Sequence, residues 1–145
     1  MHIEVTSAPI DPWRIVQSHQ QRAFTHPGDF GATAIFVGTM RDFNEGEAVK
    51  AMTLEHYEGM TQRHLERIAA EAKSRYGIDE VLIVHRVGSL LPGDPIVVVA
   101  VWSAHRAAAF DACRYIMEDL KSRAPFWKKE ALESGSRWVE KNTPG

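Results

Sequence analysis

Four cations crowd one stretch of the chain: Lys121, Arg123, Lys128 and Lys129, interrupted by Pro125-Phe126-Trp127. Like charges this close make each other's protonation harder, and together they offer donors to an anion. A rigid aromatic turn between them can wall a pocket for an anionic ring system. It can also form a solvated basic edge, the commoner outcome, and a lysine at Lys121 suits the last turn of a helix in any case. A second pair, His105-Arg106, comes just after Ser103, where a helix should begin. A helix N-terminus carries partial positive charge, so cations there are mildly unfavourable, by ~0.3–1 kcal/mol. Either both side chains bend into solvent, or an anion binds there on free N–H groups, His105 and Arg106 together. Arg41 stands at the end of an apolar strand, just past Gly38, which permits close backbone approach. Cys113 falls on the apolar side of a helix and reads as a packing thiol, not a nucleophile. The seven histidines show no helical i, i+4 pair and no metal spacing with cysteine, so no zinc is expected.

The elements that must hold these residues can be read from hydrophobic periodicity. Ile3–Thr6 predicts a short strand, and Asp11-Pro12 an N-cap with proline in the first turn of a short helix. Phe30–Gly38 predicts a strand around Ala34–Val37, and Thr39–Val49, with Asn44-Glu45-Gly46, a mobile polar loop. Ala51–Tyr57 alternates as a strand should, with Met52, Leu54 and His56 on one face. Leu65, Ile68, Ala69, Ala72 and Tyr76 lie on one helical face, capped by Gly77. Val81–Val87 and Pro95–Trp102 predict strands joined by a turn of Gly88, Pro92, Gly93 and Asp94; the second, apolar almost throughout, should be central and covered on both faces. Ser103 is expected to cap a third helix with Ala109, Phe110, Cys113, Ile116, Met117 and Leu120 inward, ended by Ala124-Pro125. Phe126–Leu132 and Arg137–Val139 predict short strands. The sum is an α+β fold with a mainly antiparallel sheet.

The bulk properties narrow the function classes. A chain of 145 residues suits a single domain, residues 1–145, with an ordinary core. A net charge of −2 argues against a general nucleic-acid binder but leaves room for a local basic pocket. One cysteine excludes an intrachain disulfide. The amino terminus lacks a secretory pattern and the longest apolar run, Pro95–Trp102, is too short to span a bilayer, so a cytoplasmic location is expected.

Several blocks resemble one family. Leu54-Glu55-His56-Tyr57-Glu58-Gly59-Met60, Val84-His85-Arg86-Val87-Gly88, Pro92-Gly93-Asp94, Ser103-Ala104-His105-Arg106 and above all the run from Lys121 to Glu130 are similar to the molybdopterin synthase large, catalytic subunits. The match runs in order from about Ala32 to Val139. The resemblance implies an α/β-hammerhead type of fold with a small additional β subdomain, and a dimer of large subunits. A small ubiquitin-like sulfur carrier would bind at each end to form a heterotetramer. Its Gly-Gly thiocarboxylate would deliver sulfur to cyclic pyranopterin monophosphate, with no metal or cofactor needed. The pocket implied by the resemblance comprises Thr39, Met40, Arg41, His105, Arg106, Lys121, Lys128, Lys129 and Glu130, with Lys121 the principal catalytic group and Lys128 its electrostatic neighbour. Some members carry lysine where this chain has Thr39, which leaves the phosphate contact to Arg41 or Lys129. Two other classes compete: a non-catalytic subunit that only presents the carrier, and a plain anion-binding module. An intact Lys121/Lys128 pair argues against both. His105 and Lys121 are sixteen residues apart. On one unbroken helix that is ~24 Å, too far for one compact pocket, so a site shared across a two-fold dimer is expected.

Overall fold

The computed structural model describes residues 1–44, 47–132 and 135–139. In chain order its elements are β1 (His2–Thr6), α1 (Pro12–Ala23), β2 (Ala32–Thr39), β3 (Phe43–Asn44), β4 (Glu47–His56), α2 (Met60–Tyr76), β5 (Glu80–Arg86), β6 (Gly88–Leu90), β7 (Pro95–Ser103), α3 (Arg106–Ser122), β8 (Phe126–Leu132) and β9 (Gly135–Trp138). The most apolar strand, β7, sits inside a four-stranded sheet of order β1-β5-β7-β2. Only the β1–β5 pair is parallel there; β5–β7 and β2–β7 are antiparallel.

Both faces of this sheet are covered, which is why the middle of β5, Val81 to Val84, and β7 up to Trp102 are apolar. On one face Val81, Ile83, Val97, Val99 and Val101 pack against α2 and α3 through Leu65, Ile68, Ala112 and Ile116. On the other, Leu82, Val84, Val98, Ala100 and Trp102 meet α1 through Val16. Each fully buried side chain of this size contributes roughly 1.5–3 kcal/mol. Trp102, the largest of them, also donates its indole N–H to Gln20 at 3.0 Å.

A second sheet, of five strands in the order β3-β4-β8-β9 with β6 on β4, has its own core of Met40, Val49, Met52, Leu54 and Leu90. Here the chain departs from the sequence-based expectation. Much of the expected loop at 39–49 is a hairpin: Phe43 pairs with Ala48 and Asn44 with Glu47, so β4 starts before Ala51. Backbone pairing needs no apolar alternation, and the hydrophobicity pattern did not announce it. Glu45 and Gly46 of the expected turn lie outside the described residues. Gly88, expected in a turn, opens the short strand β6, whose Leu90 pairs with Met52.

Two expectations about α3 are corrected. Ser103 ends β7 and does not cap the helix; the N-cap is His105, with no side-chain cap bond, and the Ser103 hydroxyl accepts from the His105 N–H at 3.3 Å. Phe110 is 67% exposed. It fits the helical period but lines an open cavity along β2 instead of the core.

Candidate active site

The end of α3 is held firmly. Leu120 is buried in the main core, and Lys121 follows it in the last turn. The Asp119 carbonyl accepts from both the Arg123 and Ala124 N–H groups, at 2.8 and 3.1 Å. The turn beyond is tied to α2: the Thr61 hydroxyl accepts from the Tyr57 N–H at 3.2 Å and donates to the Pro125 carbonyl at 3.1 Å. Proline then closes the helix and β8 begins at Phe126, antiparallel to β4 with Lys128 opposite Leu54. Strand alternation turns Phe126, Lys128 and Glu130 inward and leaves Trp127 and Lys129 exposed. The Glu130 carboxylate is buried and accepts from the Arg137 guanidinium at 3.1 Å. β2 completes the frame. Its register shifts between Gly38 and Thr39, where a Cβ on Gly38 would lie 2.9 Å from Val97 Cγ1.

Two adjoining cavities result. The larger, about 900 Å³, runs along β2 and α3; Thr39, Met40, Arg41, Lys121, Lys128 and Glu130 all line it. The smaller, about 280 Å³, lies under the Ala124–Trp127 turn and includes His85, Leu54 and Phe126. Lys121 and Lys128 line both and stand where the two meet. Six of the nine residues of the implied pocket are thus brought together. His105, Arg106 and Lys129 line neither cavity. His105 and Arg106 are exposed at the opposite end of α3. Lys129 places its Nζ 5.6 Å from the centre of the Trp138 ring, while Arg41 lines the larger cavity.

The electrostatics single out Lys128. Burial holds its amine down to about 8, reinforced by the charge of Lys121 and a hydrogen bond with its side chain, against the opposing pull of Glu130. Of the two amines Lys128 is the one pressed toward its neutral form, which it reaches as pH rises through about 8. Above that pH Lys128 can accept a proton where the two cavities meet. Cys113 lines the larger cavity, but burial raises its thiol to about 11, so it is no thiolate nucleophile near neutral pH. Among the described residues no group of three or more His, Cys, Asp or Glu side chains could hold a metal ion.

The sequence assigns His85 no role beyond its place in the Val84–Gly88 block. The available signal was a histidine near the end of an otherwise apolar strand. Periodicity treats such a residue as an irregularity; only the fold shows that it borders a cavity beside two lysines.

The model of the MoaE protein family matches residues 5–123. The chain belongs to the MoaE protein family. A molybdopterin synthase catalytic subunit of Pseudomonas aeruginosa is 50% identical over 141 residues, covering 97% of this chain and 91% of that protein. One from Salmonella typhimurium is 56% identical over 110 residues, 76% of this chain and 73% of that protein. Among solved structures, a molybdopterin biosynthesis MoaE protein from Burkholderia ambifaria aligns with a TM-score of 0.80 at 45% identity, covering 99% of this chain and 92% of that one. Membership of the MoaE family carries a coarse function: a catalytic subunit of the molybdopterin synthase kind, an enzyme of molybdenum cofactor biosynthesis. The mixed α+β architecture expected from the sequence is the one these proteins share. No helix among the described residues is long and apolar enough to cross a membrane.

Proposed function

We propose that this member of the MoaE family transfers sulfur from the C-terminal thiocarboxylate of a small ubiquitin-like carrier to cyclic pyranopterin monophosphate, building the dithiolene of molybdopterin. The observation that carries the reading is the meeting of two unequal cavities at Lys121 and Lys128. The larger has room for a tricyclic pterin and a cation, Arg41, for its phosphate. The smaller suits a Gly-Gly tail, which has no side chains to clash. Sulfur and acceptor carbon would then face each other across the lysine pair.

Within this reading the thiocarboxylate sulfur attacks a substrate carbon as the carbon–oxygen bond to the cyclic phosphate breaks. Water then cleaves the carrier's acyl–sulfur bond, leaving the sulfur on the pterin and a carboxylate on the carrier. Lys121 stabilises the negative charge that develops, and Lys128, once neutral, takes up the proton that the attacking water releases. Cys113 donates no sulfur, because the carrier supplies it. His105 and Arg106 reach the site from a second copy of the chain. What supports this is their absence from both cavities and an apolar patch, Ile35, Phe36 and Phe110, exposed beside the larger cavity. The deciding experiment is incubation with a thiocarboxylated carrier and the cyclic pterin, followed by mass detection of molybdopterin. Binding of both without product would reduce the chain to a presenting or anion-binding module.

A further inference from the structure

The smaller cavity contains an unassigned polar side chain, His85. On β5 it continues the face of Val81 and Ile83, but it lies past the region that α2 and α3 cover and comes to rest under the turn after α3. Its ring stacks on Phe126, with centroids 3.9 Å apart and planes at 15°. Its Nδ1 is 2.7 Å from the Arg86 carbonyl oxygen. A carbonyl can only accept, so the proton sits on Nδ1, and in the neutral ring Nε2 carries a lone pair. Among the described residues Nε2 has no hydrogen-bond partner, and it is not one of the buried unpaired atoms, so it opens to the cavity that His85 lines.

The ring is neutral near physiological pH. Burial lowers it, the hydrogen bond to the Arg86 carbonyl opposes this, and the charges of Lys121, Lys128 and His56 lower it further, to about 4. The cavity therefore combines cationic donors with one fixed, neutral acceptor. A free sulfate satisfies the lysines but, fully ionised, has no hydrogen to donate to that acceptor. A polypeptide C-terminus has both: an anionic end group and, a few bonds back, the last peptide N–H.

We propose that His85 is a specificity residue of the smaller cavity, whose Nε2 accepts a hydrogen bond from the last peptide N–H of an entering chain terminus. This rests on the reading above that the carrier tail occupies that cavity. The bond would set the depth and rotation of the tail, and so align its terminal sulfur with the lysine pair. It would also make the cavity discriminate a chain end from a plain anion.

The test needs two short synthetic peptides ending in Gly-Gly with a free carboxylate. In one the last amide is replaced by an ester, which keeps the shape and removes the N–H. Each is titrated into the full chain and followed by NMR, including the side-chain 15Nε2 resonance of His85. The expected result is that the amide peptide shifts that resonance and binds about 5-fold more tightly than the ester, the scale of one net hydrogen bond. In His85→Phe, which keeps a ring for Phe126 to stack on, the difference between the peptides should vanish. His85→Gln, which retains an acceptor, should keep part of it. Equal binding of amide and ester by the unaltered chain, with Nε2 unmoved, overturns the proposal and leaves the tail reading standing. Binding of neither peptide overturns both. The amide–ester comparison in the unaltered chain holds even where a variant fails to fold.

Discussion

At the residue scale the proposed site rests on two lysines, of which Lys128 is the one whose surroundings depress its amine. Lys121→Ala should abolish molybdopterin formation while the fold, followed by circular dichroism, is kept; near-normal turnover would remove it from the mechanism. A neutral Lys128 predicts a turnover limb that rises as pH passes about 8. Lys121→Met would move any residual limb only part of the way up, because burial is the larger cause. The same depression has a sign in stability. A lysine near 10.5 when unfolded and about 8 when folded takes up protons on unfolding between those values, so it costs stability below about 8 and the cost fades as pH rises to 10.5. Lys128→Met should therefore raise the denaturant midpoint at pH 7, with the gain shrinking above pH 8; a pH-independent difference would contradict the depressed pKa. Cys113→Ala should keep full sulfur transfer and cost about 1 kcal/mol of stability. Loss of transfer with unchanged stability would restore the thiol to the chemistry.

At the scale of elements, what matters is how the turn after α3 is pinned. α3 delivers Lys121, β8 delivers Lys128, and the short connection between them decides whether the two amines meet. The buried Thr61 hydroxyl holds that connection to α2 with two hydrogen bonds. Thr61→Val keeps the shape and leaves the Tyr57 N–H and the Pro125 carbonyl without their partner, at a cost of about 1–3 kcal/mol. Thermal unfolding should show that loss. Turnover at a temperature where the variant is folded should fall several-fold, while Thr61→Ser should restore most of it. Unchanged kcat in a destabilised Thr61→Val would make the hydroxyl structural only.

For the whole molecule the open question is where His105 and Arg106 act. They sit at the far end of the helix that carries Lys121, and ~24 Å of helix cannot be shortened by side-chain motion. If a two-fold partner supplies them, inactive Lys121→Ala and His105→Ala chains should complement each other. Random exchange in an equal mixture makes half the dimers mixed, each with one intact site of two, so about one quarter of full activity is expected. Verified exchange with no recovery would rule out a shared site.

The positions of the helices and of the buried strands β5 and β7 follow from local pattern, since apolar residues in such runs or at period 3.6 have few other ways to leave water. The basic character of the site was equally legible, because Lys121, Lys128 and Arg41 stand beside residues that end elements. Local pattern failed where pairing did not depend on it: the β3–β4 hairpin, the short β6, and the boundary between Ser103 and α3. It also could not separate Lys128 from Lys129. Adjacent in sequence, they point to opposite faces of β8, and only the pairing of β8 with β4 decides which faces the cavity. The pKa of Lys128, the two-cavity arrangement and the exposed acceptor of His85 all arise from groups far apart in the chain. Burial and charge proximity are properties of three-dimensional distance, and only the tertiary structure sets those distances.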